Sequence, residues 1–68
     1  MANATLKTKE VYNNMVIMEI ETRYNMTYYK ITVVDKIDGR TKAGNVYKEE
    51  NQAKRAFYYY TKKAAYME

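Results

Sequence analysis

The spacing of apolar residues changes period once along this chain, and that change restricts the folds open to it. From Met15 to Thr22, Val16, Met18 and Ile20 alternate with Glu19 and Glu21, so the two sets face opposite ways on an extended strand. Thr27 to Asp35 keeps the same period and is rich in β-branched and aromatic residues. Its inner side is Tyr29, Ile31 and Val33, and its outer side is Tyr28, Lys30 and Thr32. Beyond Glu49 the spacing becomes helical: Ala53, Ala56, Phe57, Tyr60, Ala64 and Met67 fall three or four apart and form one stripe. Strands followed by one helix predict an α+β domain, a three- or four-stranded antiparallel sheet packed against one C-terminal helix. The gaps between the runs are too short for parallel crossovers.

This pattern places strands at 15–22, 27–35 and 40–47 and the helix at 49–66. Residues 5–12 are assigned as a further strand at the sheet edge, where lysines discourage edge-to-edge pairing, and 1–4 as a disordered tail. Turns fall at Asn13-Asn14, at 23–26 and at Asp38-Gly39, and Gly44 marks a bulge or bend. Glu49 and Glu50 suit the positive end of the helix dipole, and Lys62 and Lys63 suit the negative end. Phe57, the single phenylalanine, is central in the stripe and is expected to anchor it. No repeat or linker divides residues 1–68, which make one domain.

A domain of this size buries only about 60% of the surface its unfolded chain exposes, so further support is expected. There is no cysteine for a disulfide, and without histidine the usual ligands for zinc, copper or iron are missing. Self-association is the remaining support, and a homodimer or larger assembly is expected. One helix leaves the far sheet face and many tyrosines uncovered. The same absences, with serine also missing, remove the common nucleophile–base arrangements, and neither G-x-x-x-x-G-K-[ST] nor G-x-G-x-x-G occurs. Glu19 and Glu21 share a strand side, but they read as a solvated face rather than an acid–base pair. The expectation is a protein with no catalytic residues, no cofactor and no metal. The first seven residues lack an apolar signal region and no segment is long enough to span a membrane, which predicts a cytoplasmic chain without membrane partners.

The chain carries twelve Lys and Arg against eight Asp and Glu, and nine tyrosines with no tryptophan. Opposite the apolar stripe lie Lys54, Arg55, Tyr58, Tyr59, Lys62, Lys63 and Tyr66, and no acid falls between Ala53 and Met67. Spacings of three and four put Arg55 beside Tyr58 and Tyr59, and Tyr59 beside Lys62 and Lys63. Three uses fit. Cations with stacking rings suit RNA or single-stranded DNA; Tyr and Arg are common anchors of protein interfaces; and the face is also what a solvated helix would show, with its tyrosines covering the sheet edge. Tyr24 and Tyr28 are assigned to cross-strand packing. Lys36, Arg40 and Lys42 surround the Asp38-Gly39 turn, where charge is common in any loop.

From Val33 to Gly44, V-V-D-K-I-D-G-R-T-K-A-G, and again from Glu50 to Phe57, E-N-Q-A-K-R-A-F, the chain resembles small accessory proteins encoded by bacteriophages. In these a hairpin with a D-G turn leads into one helix. The resemblance covers roughly residues 27–66, in style rather than through a diagnostic motif, so it transfers no functional residue. It implies a host-takeover or anti-defence role: binding and inhibiting a host factor, including nucleic-acid-processing defence systems. The leading expectation is thus an inhibitor or adaptor for a host protein or protein–nucleic-acid complex, acting in the host cytoplasm. Direct RNA or single-stranded DNA binding is the alternative, and a structural homo-oligomer is the third.

Overall fold

The computed structural model describes residues 2–67. Four strands, β1 (Ala2–Val11), β2 (Asn14–Arg23), β3 (Met26–Asp35) and β4 (Thr41–Tyr47), form one antiparallel sheet in the order β1-β2-β3-β4. One helix, α1 (Glu50–Ala64), lies across one face of the sheet, mainly over β2 and β3. Consecutive strands are neighbours because every connection is short. The expected architecture is the observed one, with four strands rather than three.

Residues 2–4, assigned above to a tail, belong to β1: Ala2, Asn3 and Ala4 pair with Thr22, Glu21 and Ile20. The ten residues of β2 provide backbone partners for an equally long β1, so pairing continues past the polar start of the chain. Met1 lies outside the described residues. Leu6 is the extra residue of a bulge between Thr5 and Lys7, which disturbs the free edge of β1 as its lysines do.

The two-residue alternation sets the faces. Val16, Met18, Ile31 and Val33 are buried on the helix side, joined by Ala53 and Ala64 of α1. Val11, Tyr29, Ala43, Tyr47, Phe57 and Tyr60 pack around them, half-buried. Phe57 is therefore a rim residue rather than the main anchor. The fully buried positions of the helix are alanines, because a helix close to a sheet leaves room beneath it only for methyl groups.

The turn assigned at 23–26 is observed, whereas the other two depart from the sequence assignment in register. The first hairpin turns on Tyr12-Asn13, with Tyr12 at φ 54°, and Asn14 opens β2. The second turns on Tyr24-Asn25, at φ 52° and 63°, the left-handed pair that a two-residue turn of type I′ requires. Tyr24 is 91% exposed there, in the turn rather than in the ladder, whereas Tyr28 is half-buried opposite Glu21. The third connection is longer than an Asp-Gly turn and is built on carboxylates. Asp35 Oδ1 accepts the N–H of Ile37 at 2.7 Å, Asp38 Oδ1 accepts that of Arg40 at 2.8 Å, and Gly39 takes φ 75°. The bulge expected at Gly44 sits two residues earlier. Val33 pairs with Ala43 and Val34 with Thr41, leaving Lys42 as the extra residue.

A candidate binding surface on the helix

α1 begins at Glu50, with Glu49 as an extended N-cap residue, and ends at Ala64 with Lys62 and Lys63 in its last turn. Its C-terminal end is fixed by one buried side chain. Asn14, only 1% exposed, donates from Nδ2 to the carbonyls of Ala64 (2.9 Å) and Met67 (2.8 Å). Its Oδ1 accepts from Lys42 Nζ at 2.7 Å, and Lys42 also pairs with Asp35 at 3.2 Å. The bulge at Lys42 turns that lysine toward the helix side, where it completes this network. Helix ends leave carbonyls without partners, and here a strand residue supplies the donor. Ile37 N–H and Lys42 together hold the Asp35 carboxyl below the usual carboxylate range.

With the inner side fixed, the outer side follows. Lys54, Arg55, Tyr58, Tyr59, Lys62 and Lys63 are all exposed on α1. Tyr66, expected in the helix, stands just beyond it on the closing turn, 88% exposed, with its N–H donating to the Lys63 carbonyl at 3.0 Å. The lysines and rings are engaged with each other. Lys62 Nζ lies 4.5 Å from the centre of the Tyr58 ring, and Lys63 Nζ lies 5.6 Å from that of Tyr59. Tyr59 meets Tyr60 edge-on at 5.5 Å and 73°. Burial, and then the neighbouring Tyr47, push the Tyr60 hydroxyl above its ordinary value. Lys54 is held at 3.6 Å by Glu50, while Arg55, Lys62 and Lys63 have no acidic partner among the described residues.

Two further cations belong on this side. Lys7 and Lys9 pair with Met18 and Val16, which places them on the helix face of β1, and Lys7 Nζ lies 5.2 Å from the centre of the Phe57 ring. The K-T-K alternation was a usable signal, but only with β1 registered on β2. Of the cations near the third turn, Lys42 is paired with Asp35 and Lys36 with Glu10 at 3.7 Å, while Arg40 is exposed.

Glu19 and Glu21 do share the far face, but not as a solvated pair. Glu21 is 8% exposed and ion-paired with Arg23, and Glu19 is half-buried opposite Lys30. Among the described residues no cluster of three or more acidic, Cys or His side chains is placed to hold a metal, and no helix is long and apolar enough to cross a membrane. No family model matches the chain, and neither a curated protein nor a solved structure matches it.

Proposed function

We propose that this chain is a non-enzymatic binding protein, an inhibitor or adaptor of the phage accessory type, that docks the outer face of α1 on an acidic protein surface. The observation that carries this reading is the pair of ammonium groups resting on Tyr58 and Tyr59, with Arg55 unpaired among the described residues and no acid between Ala53 and Met67. A nucleobase that stacks on the covered side of either ring must displace an ammonium. A carboxylate approaching from outside displaces nothing and meets charge that is already positioned. Rigid aromatic side chains also lose little entropy when covered. If the partner is a host nucleic-acid-handling factor, this charge directs the chain away from that factor's basic groove and toward its acidic surface.

Direct RNA or single-stranded DNA binding is the second reading, and Lys7 and Lys9 favour it. They continue the row of cations from the helix across the edge of the sheet. Phosphates could follow such a row without stacking.

The discriminating experiment uses Arg55→Glu combined with Lys62→Glu. Both residues are exposed, so the melt is expected to stay within about 0.5 kcal/mol of the parent. Capture from nuclease-treated host lysate is expected to retain a protein with the parent and lose it with the double variant, while a labelled single-stranded oligonucleotide shows no salt-resistant binding. A tight oligonucleotide complex that weakens steeply with salt, and that loses about 1–3 kcal/mol with Tyr59→Ala, replaces the first reading with the second. Unchanged binding in the double variant removes the helix face from both.

A further inference from the structure

Among the described residues no element covers the sheet face turned away from α1, and the residues of that face are arranged in a way that selects one occupant. From one end to the other, Met15 is the Cα partner of Val34, Ile17 of Thr32 and Glu19 of Lys30. All but Lys30 are half-buried although no described element lies above them. Glu19 and Lys30 are opposite one another in the ladder, yet no ion pair joins them. An apolar block thus adjoins a separated plus–minus pair, on the two central strands of the sheet.

We infer that this face is the interface with a second copy of the chain, related by a two-fold axis parallel to β2 and β3 and passing between them. Such an axis lays β2 of each copy over β3 of the other at the same height along the strands. The Cα partners within one chain then become the facing residues between chains. Glu19 meets Lys30 of the second copy and Lys30 meets its Glu19, while Met15 faces Val34 and Ile17 faces Thr32. An isologous contact requires this kind of self-complementarity. A face with acid on both central strands would repel its copy, and one with base on both would do the same.

The dimensions agree. The molecule is a slab of 36 × 23 × 15 Å. Its broad face is about 800 Å² in plan, the contribution each partner makes to an interface of standard size. Two sheets stacked about 10 Å apart with their central strands aligned form a sandwich in which inner side chains interdigitate. The helices then lie on the two outer surfaces. The dimer therefore shows two copies of the α1 face on opposite sides, whatever that face binds.

Sedimentation equilibrium on three proteins tests this arrangement. The parent is expected to be a dimer at micromolar concentration. Glu19→Lys and Lys30→Glu, each alone, place like charges across the two-fold axis and are expected to raise the dimer dissociation constant at least about tenfold. An equimolar mixture of the two variants is expected to recover the parent's affinity, because each now meets its complement in the other chain. A change confined to one chain would not be repaired by mixing. Should either reversal fail to fold, Ile17→Thr reads the same face without altering charge and is expected to weaken the dimer several-fold. A parent that stays monomeric, or a dimer indifferent to all three substitutions, or a mixture no tighter than its components, overturns the proposal.

Discussion

Asn14 shows how much of this fold can depend on one short polar side chain. It closes the two helix-end carbonyls with its amide and receives the Lys42 ammonium on its oxygen, so that all its polar atoms have partners at 1% exposure. Asn14→Ala removes the donor to both carbonyls and the oxygen that receives the ammonium, leaving Ala64 only the Met67 N–H at 3.3 Å and Lys42 only Asp35. We expect it to cost about 2–4 kcal/mol in a urea unfolding curve, several times the effect of Asn13→Ala on the adjacent exposed turn. Equal losses at the two positions would show that the turn, not the network, matters. Asp35 belongs to the same network, and its depressed value gives a signed prediction. Its charge contributes stability above the unfolded carboxylate value, and that contribution is lost as pH falls from roughly 4 downward through the lower folded value. Asp35→Asn keeps the oxygen that Ile37 N–H uses but cannot titrate, so its melting temperature should fall less steeply below pH 4 than the parent's. Parallel pH profiles would remove Asp35 as the cause.

At the scale of elements, α1 is held by small residues against the sheet and by larger ones at its rim. Ala53 and Ala64 are fully buried, whereas Phe57 is half-buried with Lys7 over its ring. Filling Ala53 is therefore a serious change. Ala53→Leu lengthens an apolar residue in an apolar stripe, which the sequence pattern alone would favour, yet it forces the helix off the sheet at an expected cost of about 1–3 kcal/mol. Phe57→Ala is expected to cost about 2–3 kcal/mol, below the range for a fully buried aromatic. Chemical denaturation of both variants checks the pair, and a stabilised Ala53→Leu would show that the helix sits higher than described. The strand elements carry a related lesson. Lys42 and Leu6 are the extra residues of two bulges, and the first turns a cation inward to Asp35 and Asn14. Neither bulge is marked by its own residue type, because a bulge is a property of two strands in register.

For the molecule as a whole, one sheet and one helix leave two broad surfaces of different character. The helix side carries Lys7, Lys9, Arg55, Lys62 and Lys63 without acidic partners among the described residues, and the far side carries the Glu19–Lys30 pair beside an apolar block. If the far side is closed by a second copy, stability depends on protein concentration. The melting temperature should then fall on dilution across the dissociation range, and an unchanged value over a hundredfold dilution argues for a monomer.

How much of this was legible in the residues follows from what is local. Alternation at 15–22 and 27–35 and the three-four spacing after Glu49 are properties of neighbouring side chains, so the strands, the helix, the antiparallel order and both faces of β2 and β3 could be read in advance. The outward set from Lys54 to Lys63 was legible for the same reason, because a helix has one opposite side. What the sequence could not supply is whatever depends on a distant partner. Residues 2–4 join the sheet because β2 extends far enough to pair with them. Tyr12 and Tyr24 take left-handed turn positions because the strand register leaves them there. Lys7 and Lys9 join the helix side through their pairing with β2, and Asn14 meets α1 across fifty positions of chain. Pattern follows from side chains a few residues apart, whereas register, bulges and the helix-end network are settled by contacts that exist only once the sheet has closed.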